Sequence, residues 1–180
     1  MITFRGLNEN EKNILVKEIT YWLSNDLAKK FLENKYFIIG EGKWREIFLV
    51  NKETYDLFTT ESLLPPYSIG LGFGEFKGNN LLLGLGGLYL LSEITKKKIT
   101  ISEDAEQLFL YSRNIFGDSI IECTGSYEKG VKVLVVNQKK DVLGIGKFEI
   151  DSDEIKNPEN KQREIVKNLI DLGWYLRKGK

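Results

Sequence analysis

Histidine is missing from this sequence altogether. Without an imidazole, no Ser-His-Asp or Cys-His arrangement can be built, and no zinc site that relies on imidazole. Cysteine occurs once, as Cys123, so an internal disulfide is excluded and a cytoplasmic protein is expected. A lone cysteine in apolar surroundings reads as a small core residue. With both residue types so scarce, no metal is expected. Apolar runs of membrane-spanning length are also lacking, and Met1-Ile2-Thr3-Phe4 does not have the basic-then-apolar layout of a signal peptide. Net charge is zero, which removes the global basic excess of many nucleic-acid binders. Charge is nevertheless uneven: from Lys161 onward there are six basic and two acidic side chains. Any polyanion site must be a local patch.

What is present has the composition of a folded protein, with 42% hydrophobic and 29% charged residues. Asn8-Glu9-Asn10-Glu11 is a capping-box signature, and Leu15, Ile19, Trp22, Leu23, Leu27 and Phe31 follow at helical spacing. That predicts one long or two short helices ending near Leu32. Strands near Tyr36–Ile39 and Glu46–Val50 flank a Gly40–Lys43 turn. A short helix over Thr54–Phe58, a break at Pro65-Pro66, two more strands and a helix over Leu88–Ile94 complete the first half. The charged run Lys96-Lys97-Lys98 marks a boundary. Beyond it come a short strand, a helix over Glu103–Leu110 capped by Ser102, then strands at 119–123, 131–136, 142–148 and 174–177. Short, evenly spaced strands predict a small β-barrel. The expectation is an α+β chain: an N-terminal α/β domain over residues 1–94 and a barrel over residues 95–180.

Three Gly-x-Gly units invite a nucleotide-binding reading: Gly70-Leu71-Gly72 (running on to Gly74), Gly84-Leu85-Gly86 and Gly144-Ile145-Gly146. A phosphate loop needs a following helix N-terminus and usually Lys-Ser/Thr. The first run is followed by Gly78 and an apolar strand. The second precedes a helix, but Tyr89 stands where the dinucleotide fingerprint needs a small residue. The third lies inside a strand. Close backbone approach in a curved sheet is the expected purpose of these glycines, and no cofactor is expected. Asp151-Ser152-Asp153-Glu154 lacks the glycine and spacing of a calcium loop and reads as a solvated turn.

Glu106-Gln107-Leu108-Phe109-Leu110-Tyr111-Ser112-Arg113-Asn114-Ile115, then Tyr127-Glu128-Lys129-Gly130-Val131-Lys132-Val133 and Leu143-Gly144-Ile145-Gly146, resemble a PUA domain, a small RNA-binding barrel. Ser112 stands where that pattern usually has glycine. Asp171–Arg177 resembles the barrel's closing strand. With Gly70–Phe76, the whole chain resembles the large-subunit ribosome biogenesis factors of the Nip-seven type, an α/β domain joined to a C-terminal PUA domain. The resemblance implies a monomeric, non-enzymatic protein that binds single-stranded or pre-ribosomal RNA, has other ribosome assembly factors as partners, and does not contact membranes. A protein-interaction adaptor and a PUA-bearing RNA-modifying protein remain open alternatives.

Residue by residue, the resemblance points to Arg113 and Asn114 in the helix-to-strand loop and to Arg177 and Lys178 at the end. It also points to the basic stretch Lys161, Arg163 and Lys167. On a helix Arg163 and Lys167 would share a face and contact successive phosphates. The alternatives are a solvated helix face for that pair and, for Arg113, capping of a helix C-terminus. Tyr111, Phe116 and Trp174 are expected in the core.

Overall fold

The computed structural model describes residues 2–60 and 69–178, so the Pro65-Pro66 break lies outside the described residues. The chain divides into two compact units, Met1–Ile94 and Thr95–Lys180. Among the described residues no helix is long and apolar enough to cross a membrane.

The first unit is built on an antiparallel sheet in sequence order: β1 (Thr3–Gly6), β2 (Tyr36–Glu41), β3 (Arg45–Val50), β4 (Leu71–Lys77) and β5 (Asn80–Leu83). Its helices are α1 (Glu9–Trp22), α2 (Asn25–Leu32), α3 (Lys52–Thr60) and α4 (Leu85–Ser92). α1 starts on a full capping box: Asn8 Oδ1 accepts from Glu11 N (2.8 Å), and Glu11 Oε2 accepts from Asn8 N (2.9 Å). Leu15, Ile19 and Trp22 then recur on one buried face. Ser24 caps α2, whose Phe31 meets Phe73 of β4, as does Phe37 of β2. The opposite face of the sheet buries Ile38, Val50 and Ile69 against Phe4, Tyr36, Phe48, Tyr55 and Phe58. β1 has no counterpart in the sequence reading, because four residues are too few to show an alternation.

Glu11 has a second task. Only 1% exposed, it is held in fork geometry by Arg5 (two contacts of 2.8 Å), and Arg5 also reaches Glu41 at 2.6 Å. Arg45 lies 3.7 Å away. Hydrogen bonds from Arg5 hold the Glu11 carboxyl below the usual carboxylate range; burial opposes this, and the Asn8 N–H and the nearby charges reinforce it. Helix start, first strand and β2–β3 hairpin are thereby tied at one point.

The first two glycine runs are where α4 meets the sheet. A Cβ on Gly86 would overlap the Gly72 carbonyl oxygen, and one on Gly87 the Phe73 carbonyl oxygen. Gly84 N donates to that Phe73 oxygen (2.9 Å). Helix and strand lie backbone to backbone, a contact that no side chain larger than hydrogen permits.

The second unit holds β6 (Lys98–Ile101), α5 (Glu103–Leu110), β7 (Ile115–Phe116), β8 (Ile120–Cys123), β9 (Lys132–Val136), β10 (Val142–Phe148), β11 (Glu164–Asp171) and α6 (Leu172–Lys178). The strands form one curled sheet in the order β7-β11-β10-β9-β6-β8, antiparallel except for the β6/β9 pair. Ser102 caps α5, which sends Ala105 and Phe109 into a core with Ile99, Ile101, Val133, Val135, Phe148, Ile165 and Val166. Cys123 is half-buried at the edge of this core, and desolvation pushes its thiol up, away from the reactive thiolate.

Two elements differ from the expectation. Residues 164–171 form a strand where a helix carrying Arg163 and Lys167 is expected; β-branched Ile165 and Val166 suit a pleated, core-facing segment. Residues 174–177 are helical where a closing strand is expected. Asp171 decides this, because its Oδ1 accepts from Trp174 N (2.9 Å) and starts α6. Between β10 and β11, Ser152 opens a short 3-10 helix. Asp151 accepts from Lys129 N (2.7 Å) and Asp153 from Ser126 Oγ (2.9 Å), so both carboxylates close turns. Among the described residues no group of His, Cys, Asp or Glu is placed to hold a metal ion.

Candidate nucleic-acid interface

The segment leaving α5 is the first component. Ser112 N donates to Phe109 O and Arg113 N to Leu108 O, so the helix ends in a left-handed residue, Ser112 at φ +63°. For a non-glycine residue that conformation costs about 1–2 kcal/mol, which accounts for glycine being usual at this place in the resembling pattern. Here the serine hydroxyl supplies compensation: it donates to Asp171 Oδ2 (3.0 Å) and accepts from Arg177 (2.6 Å).

Arg177 therefore faces inward. Its guanidinium donates to both oxygens of Asp171 (3.0 and 3.2 Å), to Ser112 Oγ and to the Leu110 carbonyl. Asp171 is 2% exposed. A buried carboxylate bonded by Arg177, Ser112 and the start of α6 ties the chain's last helix to the loop. Arg177, expected among the RNA contacts, spends its guanidinium on these hydrogen bonds in this structure. Lys178 ends α6, and its side chain lies outside the described residues.

Asn114 stitches the same loop to β11. Its Oδ1 accepts from Asn168 N (3.0 Å) and its Nδ2 donates to Glu164 Oε2 (2.8 Å). Asn168 Nδ2 returns to Phe109 O (2.8 Å) and Arg113 O (3.4 Å). β7 then pairs with β11 through Ile115↔Val166 and Phe116↔Glu164. Arg113 is exposed beside this seam, and its guanidinium makes no hydrogen bond or ion pair among the described residues.

On the outer side of β11, Lys167 is exposed and lies directly opposite Lys147 of β10. Asn114, Lys147, Glu149, Glu164 and Lys167 line an open groove of about 300 Å³. Lys147 Nζ sits 3.2 Å from Glu149. Arg163 and Lys161 are exposed in the turn before β11, their carbonyls accepting from Gly117 N and Asp118 N. At a strand's rise, Arg163 and Lys167 are roughly 13 Å apart, about twice the helical spacing. Lys167 shares its groove with Asn114. The aromatics expected in the core are exposed instead: Tyr111 by 74%, Trp174 by 40% and Phe116 by 36%. Phe116, beside the Arg163 turn, offers a ring face on which a base can stack. Lys147 has no counterpart among the sequence candidates; only strand register reveals it.

An α/β unit followed by a curled barrel of this topology is the architecture of two-domain PUA proteins. Family models agree in both halves: residues 4–85 match the NIP7/UPF0113 pre-PUA domain, and residues 97–180 match the UPF0113 PUA domain. The chain belongs to the UPF0113/NIP7 family. A UPF0113 protein of Archaeoglobus fulgidus is 34% identical over 177 residues, covering 98% of this chain and 95% of that one. The protein named 60S ribosome subunit biogenesis protein NIP7 homolog from Danio rerio is 26% identical over 132 residues, covering 73% of each. Among solved structures, a conserved PUA domain protein from Thermoplasma acidophilum shares the fold with a TM-score of 0.63 at 15% identity, covering 96% of this chain and 95% of that one.

Proposed function

We propose that this protein is a non-enzymatic RNA-binding factor in large ribosomal subunit assembly. It would act as a monomer in the cytoplasm and contact pre-ribosomal RNA through its second unit. The observation that carries this reading is the seam between the α5–β7 loop and β11. Asn114 and Asn168 hold the loop against the strand, and in this reading exposed Arg113, Lys161, Arg163 and Lys167 act as one cationic surface with a ring, Phe116, at its margin. Phosphate contacts supply affinity and a stacked, unpaired base supplies what selectivity there is, the usual division in single-strand recognition. The similarity to a named 60S biogenesis protein supports the ribosomal setting. In this reading Asn114 and Arg177 position the surface, and Arg113, Lys161, Arg163 and Lys167 touch RNA. Lys178 remains part of the proposal as a further phosphate contact.

Titration of a labelled single-stranded RNA over a range of salt tests it. Arg163→Ala with Lys167→Ala should weaken binding evenly across sequences and lower the salt slope by about 1.4, at roughly 0.7 per lost phosphate contact. Arg113→Ala should also change the preference among sequences. A double variant with the wild-type slope would show these charges to be merely solvated.

A further inference from the structure

The cationic surface does not end at β11. In register, Lys167 of β11 faces Lys147 of β10, and Lys147 faces Lys132 of β9. Each lysine adjoins a core residue, Val166, Phe148 or Val133 respectively, so all three project from the face opposite that core in a single row across three strands, Lys167 exposed and Lys147 and Lys132 half-buried. We infer that this row is a phosphate-binding track, along which a single RNA strand runs transverse to the β-strands, with Lys147 and Lys132 as further phosphate contacts. This rests on the RNA-binding reading above and extends it to two strands with no assigned role.

Two considerations bear on the row. Like charges directly opposite each other on neighbouring strands are destabilising, and at Lys147 this repulsion is offset by Glu149 at 3.2 Å. Lysine is often placed on edge strands to block aggregation, but β9, β10 and β11 are all interior, flanked by β6 on one side and β7 on the other. Neighbouring strands lie about 4.8 Å apart, so the row spans roughly 10 Å. A nucleic-acid strand carries one phosphate per about 3.4 Å of axis in a duplex, and a more extended single strand presents two or three over that length. At one end the row meets Asn114, which lines the same groove as Lys147 and Lys167. Glu149, 3.2 Å from Lys147, is the carboxylate that an incoming phosphate must displace.

The experiment is fluorescence titration of a short labelled oligouridylate with the full chain at several salt concentrations, beside thermal melts of each variant. Lys147→Ala and Lys132→Ala should each lower the salt slope by about 0.7 and weaken binding about fivefold at 0.1 M salt. Glu149→Gln, which removes the competing carboxylate, should strengthen binding by about two- to fivefold, the range set by the strength of an exposed ion pair. Misfolding could not mimic that gain. If Lys167→Ala weakens binding while all three of these variants behave as wild type, the track stops at β11 and the inference is wrong, with the RNA-binding reading intact. If the wild-type chain does not bind the oligonucleotide, both fall together.

Discussion

Replacing Arg177 separates a strut from a contact. Arg177→Ala removes four donated hydrogen bonds, two of them to Asp171, which is 2% exposed in the intact protein and would keep Ser112 Oγ and Trp174 N as partners. Breaking a buried charge pair from one side costs about 3–5 kcal/mol. The Arg177 side chain is itself 36% exposed, however, so solvent screens part of the interaction, and about 2 kcal/mol is the expected loss. For a unit of this size melting by itself, that is a fall of about 8–16 °C in Tm; if the whole chain melts together, about 4–8 °C. Arg177→Lys keeps the charge but not the fork, and it should lose most of the same stability. The assay pairs circular-dichroism melts with RNA titration over salt. A strut predicts lowered Tm in both variants and an unchanged salt slope in each. The reasoning is refuted if Arg177→Ala melts like the wild type while its salt slope drops, because the guanidinium would then be spent on phosphate.

Two further outcomes follow from the first unit. Glu11→Gln should cost about 2 kcal/mol at neutral pH, since it breaks a buried pair whose partner Arg5 is 36% exposed. The folded Glu11 carboxyl titrates below its ordinary 4.5, so its contribution is complete above that pH and is lost as pH falls through the lowered value. Urea melts of the two proteins should therefore converge as pH drops below about 4.5, and a gap that stays constant into acid would disprove the assignment. Gly87→Ala should destabilise despite alanine's advantage of about 1 kcal/mol in a helix. The added methyl meets the Phe73 carbonyl, and overpacking of this kind costs about 1–3 kcal/mol or more. An alanine variant melting above the wild type would mean that α4 has room to move off β4.

Much of this fold was legible in the sequence, for local reasons. The capping signals at Asn8 and Ser102 and the helical spacing of Leu15, Ile19 and Trp22 act over a single turn. The glycines of the first two runs read as close-packing residues because their flanks lacked the chemistry of a phosphate loop. The failures share a different cause. Arg163 and Lys167 four apart fit a helix face and a strand face alike, and only pairing with β10 and β7 selects the strand. Asp171 looked like part of a closing strand because its capping of Trp174 depends on being buried against Ser112 and Arg177. Tyr111 at the end of α5, Phe116 on β7 and Trp174 in α6 are apolar enough for a core, and only the packing of those elements leaves them exposed. Lys132 and Lys147 are ordinary strand lysines until two registers align them with Lys167. In the candidate site, the exposure of Arg113, Lys161, Arg163 and Lys167 agrees with a polar reading of those residues, whereas their strand spacing and the hydrogen bonds of Arg177 to Asp171 and Ser112 depend on tertiary pairing.

The order of strands in the second sheet also bears on how the chain is made. In the first unit, each strand of β1–β5 pairs with its neighbours in sequence, so that sheet can grow as the chain emerges from the ribosome. In the second, β11 sits between β7 and β10 and is the only partner β7 has. β6, β8, β9 and β10 can pair with one another first, but β7 and the second edge of β10 must wait for it. During synthesis the nascent chain thus carries a finished first unit and, for a time, an open edge on β10 with apolar Leu143 and Phe148 unsealed. Slow translation or a pause before Glu164 prolongs that exposure, and the proposed RNA surface, to which β11 contributes Lys167, comes into being only when it ends.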